Sequence, residues 1–137
     1  MIRLANKKDI SKINAIGREL YDNFDKIYDL VSYLENDKYI IYVYDCDGIK
    51  AFLIAYENID EYELLCIVVT NKCRGLKIGT KLLNHLIINT NKNIILEVSQ
   101  NNEVAKKLYQ DFNFKDMVIR KNYYQDGSDA IIMKLVR

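Results

Sequence analysis

The stretch between Glu61 and Val98 changes rhythm twice, and that change restricts the fold more than any other feature of the chain. An apolar run of strand length, Glu61–Val69, gives way to a polar turn containing glycine. Ile78, Leu82, Leu83, Leu86 and Ile87 then follow at helical spacing, and a second apolar run covers residues 94–98. A helix between two consecutive strands requires a right-handed crossover that leaves the strands parallel. The sheet must therefore contain a parallel pair.

The remaining pattern reads as β, two helices, three β, α, β, α, β, β. Ile2–Leu4 is a short strand candidate. Asn6 or Asp9 can cap a helix with Ile10, Ile13, Ile16 and Leu20 on one face. A second helix is expected over residues 25–35, with Ile27, Leu30, Val31 and Leu34 inward. Residues 38–45 alternate and are rich in Tyr, Ile and Val, and Asp47-Gly48 signals a tight hairpin into Ile49–Glu57. Asn101 or Asn102 caps a helix with Ala105, Leu108, Tyr109 and Phe112 inward. The last strands are expected over 114–120 and 128–135, joined by a loop at 122–127. No linker divides the pattern, so a single α/β domain over residues 1–137 with a mixed sheet is expected.

Composition removes several classes of function. With 50% hydrophobic and 28% charged residues, the 137-residue chain is too apolar for disorder and large enough for one core. No run of eighteen apolar residues suggests a membrane span. Twenty Lys and Arg against nineteen Asp and Glu leave a net charge of +1, which gives no broad attraction to nucleic acid or a membrane surface. The charges are nevertheless segregated. Asp22, Asp25, Asp29, Glu35 and Asp37 make the first third acidic, and Lys72, Arg74, Lys77 and Lys81 make the middle basic. That split suits an anionic ligand in one place and a cationic one in another, or simply a solvated surface. Three cysteines without CxxC spacing argue against a disulfide framework or a metal site. The opening residues lack the apolar stretch of a signal peptide, so a reducing cytoplasm is the expected setting. Proline is absent, so breaks fall to Gly, Asn and Asp.

Three places can carry chemistry. Residues 73–80 lie between a buried strand and a helix start, where free backbone N–H groups and the helix dipole favour a phosphate. Gly75 and Gly79 permit close backbone approach, and Arg74 and Lys77 add charge; the alternative is a structural turn with incidental basic residues. Glu97 stands inside an apolar strand, where burial would raise its pKa into the range of a general base, although strand alternation more commonly turns such a residue to solvent. Tyr109 lies on the inward face of the next helix, either as core or as a proton donor to a leaving group. His85, the only histidine, has no accompanying nucleophile elbow and reads as a surface or partly packed residue. Tyr123 and Tyr124 either wall a ligand groove or cover the edge of the core.

These pieces, in this order, resemble the GNAT superfamily of acetyl-CoA-dependent N-acetyltransferases. Residues 74–80 are similar to its pyrophosphate loop, Q/R-x-x-G-x-G/A, with Arg74 and Gly79 matching and Lys77 replacing the middle glycine. Residues 96–109 resemble the L-E-V-R-x-S-N-x-x-A-x-x-L-Y segment of ribosomal-protein-alanine N-acetyltransferases, with Ser99 in place of the Arg and Asn101 in place of the Ser. Phe112-Asn113-Phe114 stands at L-G-F. Residues 120–124 and 129–133 are similar to R-x-x-Y-Y and D-A-x-x-M.

The resemblance implies a mixed, mostly antiparallel seven-stranded sheet with about four helices and a central parallel pair splayed at the cofactor site. It implies that the backbone of Ile67, Val68 and Val69 pairs with the pantetheine arm. Gly75, Leu76, Lys77, Ile78, Gly79 and Thr80 would cradle the pyrophosphate with Arg74 at the entrance, and Asn102 would contact the arm of acetyl-CoA. Glu97 would be the base and Tyr109 the acid, with no metal. The implied acceptor is a protein N-terminal amine, first of all the N-terminal alanine of a ribosomal protein, and the acidic residues 22–37 would draw a basic peptide. A small-molecule amine, a lysine side chain, or a non-catalytic acyl-CoA-binding role remain as alternatives.

Overall fold

The computed structural model describes all 137 residues. Its strands are β1 (Ile2–Leu4), β2 (Tyr39–Asp45), β3 (Ile49–Glu57), β4 (Glu61–Val69), β5 (Asn93–Ser99), β6 (Lys115–Arg120) and β7 (Ala130–Leu135). Its helices are α1 (Ile10–Gly17), α2 (Phe24–Ile27), α3 (Leu30–Leu34), α4 (Ile78–Ile88) and α5 (Glu103–Asp111). The strands form one sheet in the order β1-β2-β3-β4-β5-β7-β6. The expected parallel pair is β4 and β5, in register from Glu61↔Asn93 to Leu64↔Leu96. The β1–β2, β2–β3, β5–β7 and β6–β7 pairs are antiparallel. No helix is long and apolar enough to cross a membrane.

The chain forms two compact units, residues 1–57 with 66–90 and residues 58–65 with 91–137. In the first, β3 is the centre of the core. Ala51, Phe52, Leu53, Ile54 and Ala55 have no solvent exposure, so both of its faces are covered. The cover comes from α1, through Ile13 and Ile16, and from α4, through Leu82, Leu83 and Leu86. The β2–β3 turn places Asp47 at φ 53° and Gly48 at φ 104°, the twist that a two-residue hairpin favours. Arg3 on β1 donates to both carboxylate oxygens of Asp9 (2.8 and 3.0 Å) and to Asp45 (3.0 Å), tying β1 to the end of β2 and to the turn before α1. The guanidinium holds the Asp9 carboxyl below the usual range.

One expected helix, over residues 25–35, is two short ones. Tyr28 adopts an extended conformation (φ −118°, ψ 107°) that ends α2, and Asp29 restarts the helix by accepting from the Ser32 N–H (3.3 Å) and hydroxyl (2.8 Å). The break rotates the apolar face. Phe24 and Leu30 are buried, whereas Ile27 and Val31 are about half exposed. Phe24 meets Phe52 edge-on at 5.5 Å between ring centroids. Gly17 makes room for this contact, because a Cβ there would lie 2.3 Å from the Phe24 ring. Gly17→Ala is expected to lower the unfolding free energy by about 1–3 kcal/mol through overpacking. A denaturant midpoint equal to the parent's would show instead that the ring can yield.

In the second unit β5 alternates, with Ile94, Leu96 and Val98 buried and Ile95, Glu97 and Ser99 on the opposite face. Strand β7 lies between β5 and β6, leaving β6 as an edge strand exposed along its whole length. Helix α5 ends in a Schellman motif. The Asn113 N–H donates to the Gln110 carbonyl (2.9 Å) and the Phe114 N–H to the Tyr109 carbonyl (3.0 Å), with Asn113 at φ 70°. The accompanying apolar contact is the Tyr109–Phe114 ring pair, 5.7 Å apart. Asn is the residue after glycine best suited to that left-handed position, which accounts for Asn113 where the motif has Gly.

Candidate active site

In the first unit, the end of β4 turns sharply before α4. A 3-10 turn over Asn71–Cys73 leads to extended Arg74 (φ −68°, ψ 153°), then to Gly75 at φ 81° and Lys77 at φ 60°. Gly75 requires its lack of a side chain for that φ, and the space around it is open. No side chain caps α4, so the N–H groups of its first turn point out of the helix without a capping oxygen. Those amides, an open Gly75, exposed Lys77 and exposed Arg74 form a donor set suited to a phosphate. Arg74 is not wholly free, since its Nε donates to the Val69 carbonyl at 3.3 Å.

Lys77 occupies a left-handed conformation that costs a non-glycine residue about 1 kcal/mol. Replacement by glycine, the residue the motif has there, is expected to raise the unfolding free energy by about that amount. A fall in stability on Lys77→Gly would mean that the lysine side chain contributes more packing than its exposure suggests.

A residue that the sequence did not single out fixes the start of this loop. Glu19, in the turn after α1, accepts from the Thr70 hydroxyl (2.7 Å) and the Asn71 N–H (2.8 Å). These two donors, with the nearby Arg74 and Lys12 charges, hold its carboxyl below the usual range. A depressed carboxylate gives a clamp that is present at neutral pH and lost as acid titrates it. Glu19→Ala is expected to free the start of the loop, so that amide hydrogen exchange at Asn71 quickens. Exchange equal to the parent's would remove the role. No local pattern marked Glu19, because its partners lie about fifty positions away.

In the second unit, Glu97 is the first residue of β5 past the end of the parallel ladder and pairs only with Ile132 of β7. Its side chain is exposed. The buried carboxylate weighed from sequence is therefore not found, and alternation sets the direction as it does for any strand residue. Instead the Tyr124 hydroxyl donates to Glu97 Oε1 at 3.0 Å. Tyr109 is buried, 9% exposed, against Phe114. Asn102 caps α5, its Oδ1 accepting from the Ala105 N–H at 3.1 Å, which leaves the side-chain NH2 as the group able to reach a ligand.

Other candidates resolve simply. His85 is half-buried, edge-on to Tyr42 at 4.6 Å. Burial pushes the Cys66 thiol up to about 12, so it is no nucleophile. No group of three or more His, Cys, Asp or Glu residues is placed to hold a metal ion. The acidic residues 22, 25, 29, 35 and 37 are exposed, and Asp29 also serves as the α3 cap.

A family model described as an acetyltransferase (GNAT) domain matches residues 36–116, which include β4, the loop, α4, β5 and α5. The chain belongs to the GNAT acetyltransferase family. Among relatives of this GNAT protein, the uncharacterized N-acetyltransferase MJ1530 of Methanocaldococcus jannaschii is 29% identical over 97% of this chain and 89% of its own. The [ribosomal protein bS18]-alanine N-acetyltransferase of Escherichia coli K12 is 35% identical over 74% of each chain. The crystal structure of the ribosomal-protein-S18-alanine N-acetyltransferase from Escherichia coli superposes with a TM-score of 0.85 and 27% identity, covering 98% of this chain and 92% of that one. The GNAT enzyme described here is thus an acetyltransferase with the seven-stranded mixed sheet of that fold.

Proposed function

We propose that the enzyme transfers the acetyl group of acetyl-CoA to the α-amine of a protein N-terminus, with the N-terminal alanine of a ribosomal protein as the first acceptor to test. The observation that carries this reading is the end of the β4–β5 ladder at Leu64↔Leu96, immediately before an exposed Glu97. Glu97 follows the last paired residue of that ladder on β5 and offers an exposed carboxylate to a substrate amine. The likeness to the bS18-alanine enzymes supports the choice of acceptor. A cytoplasmic setting fits both substrates. Residues 1–137 act, in this proposal, as a single catalytic domain.

The uncapped first turn of α4, over Ile78, Gly79 and Thr80, together with Gly75, Leu76 and Lys77, offers amides and charge to the pyrophosphate, with Arg74 at the entrance. Ile67, Val68 and Val69 offer strand backbone to the pantetheine arm, and the Asn102 amide a further donor. An α-amine has a free pKa of about 7.7–8.0 and is largely protonated at neutral pH. Glu97 removes that proton, directly or through a water. The amine nitrogen then bonds to the thioester carbonyl carbon, giving an oxyanion that a backbone N–H can stabilise. The carbon–sulfur bond breaks, and Tyr109 gives its proton to the departing thiolate. Neither a metal nor a covalent enzyme intermediate enters the scheme.

The test is acetyl-CoA-dependent thiol release with alanine-initiated peptides, spermidine and free lysine. The expected result is turnover of the peptides above the other amines. Preference for spermidine or lysine would move the acceptor class, and acetyl-CoA binding without turnover of any amine would favour a binding module.

A further inference from the structure

The loop between β6 and β7 is built around one buried hydroxyl. Ser128, 9% exposed, donates from its Oγ to Asp126 Oδ1 at 2.5 Å, and its N–H donates to the same oxygen at 2.9 Å. Its carbonyl accepts from the N–H groups of both Tyr123 and Tyr124 (3.1 and 3.2 Å). The Ser128 Oγ also lies 3.3 Å from the Oγ of Ser99, two residues beyond Glu97 on β5. Ser99 Oγ in turn accepts from the Asn101 N–H at 3.2 Å. Asp129 closes the base of the loop by accepting from the Asn122 N–H at 2.9 Å, and Lys121 pairs with it at 3.3 Å. The loop is thus fastened to the strand that carries Glu97, at a point where the related motif has an arginine and this chain has Ser99. Tyr124 projects from this loop to Glu97 Oε1.

We infer that Tyr124 is a positioning residue for Glu97, and that the Ser99–Ser128–Asp126 clasp sets its place. The inference rests on Glu97 being the base of the proposed transfer. An exposed glutamate has three rotatable bonds and no packing to choose among its rotamers. The Tyr124 hydroxyl binds one carboxylate oxygen and leaves Oε2 to take the proton from the amine. A base held in one orientation contributes through alignment, and misplacement of a reacting group by about 1 Å can cost as much as a hundredfold in rate. Ser128 serves the same end at one remove, since its carbonyl holds the backbone of the residue that bears the hydroxyl.

The experiment compares Tyr124→Phe, Glu97→Gln and the double variant, using an alanine-initiated peptide, spermidine and lysine as acceptors. The amide introduced by Glu97→Gln keeps an acceptor oxygen for Tyr124 but cannot take a proton. The expected result for Tyr124→Phe is a kcat about tenfold lower, with KM values for acetyl-CoA and acceptor within about twofold of the parent. In the Glu97→Gln background the same change should cost less than about twofold, because the base it aligned is gone. A raised acceptor KM with kcat retained would overturn the inference by making Tyr124 a direct acceptor contact. A tenfold loss that persists in the Glu97→Gln background would overturn it equally.

A second readout needs no acceptor. Amide hydrogen exchange over residues 121–129 should quicken in Tyr124→Phe, and further in Ser128→Ala, if the loop is held as described. Exchange unchanged in both would overturn the inference even if no amine is acetylated. Failure of the parent enzyme to acetylate any amine would count against the proposed function alone.

Discussion

Glu97→Gln is expected to lower kcat by about two to four orders of magnitude while leaving the KM for acetyl-CoA and the stability close to the parent's. The size is that of a lost general base acting on a proton in flight. The selectivity follows from where the residue sits. Its side chain is exposed at the end of the parallel ladder and buries no apolar surface, so the amide replaces it without a cavity. The Tyr124 hydroxyl also retains an oxygen to donate to. Steady-state rates with an alanine-initiated peptide, alongside denaturant midpoints, separate chemistry from folding. Turnover equal to the parent's would remove Glu97 from the mechanism and leave the amine to lose its proton to solvent.

Tyr109→Phe is expected to lower kcat by about a hundredfold, at the lower end of acid catalysis because a thiolate is already a fair leaving group. The phenylalanine keeps the ring that packs on Phe114, so the Schellman end of α5 should survive the change. A further comparison tests the role rather than the residue. An acetyl thioester of a more acidic thiol needs less protonation as it departs, so the variant should lose less with that donor than with acetyl-CoA. An equal loss with both donors would assign Tyr109 to packing, the more usual work of a tyrosine on an inward helical face.

The sequence disclosed what depends on near neighbours. The strand–turn–helix–strand run led to the parallel β4–β5 pair, and the Asp47-Gly48 pair marked its hairpin, because both are set within a few residues. The helix expected over 25–35 shows the limit. Its apolar spacing fits one helix, but the Asp29 carboxylate competes for the backbone and restarts the chain, so Phe24 rather than Ile27 turns inward. The placement of β7 between β5 and β6 is decided by pairing across the sheet, which no periodicity records. The motifs offered Glu97, Tyr109 and the loop before α4 as candidates. They could not supply the Glu19 clamp, the Tyr124 bond or the Ser99–Ser128 link, which join residues 27 to 52 positions apart. Glu97 stands out in the sequence as a charge inside an apolar strand, but the desolvation that such a setting suggests gives way to an exposed carboxylate held by a phenol.

Lys77 and Asn113 have a bearing on how distant chains of this kind are found. Each holds a backbone angle that the motif ordinarily reserves for the smallest amino acid. A search written in letters marks both as mismatches. One written in torsion angles accepts them, since the course of the chain survives while its spelling changes, and the cation at position 77 then reads as an added charge in the turn before α4.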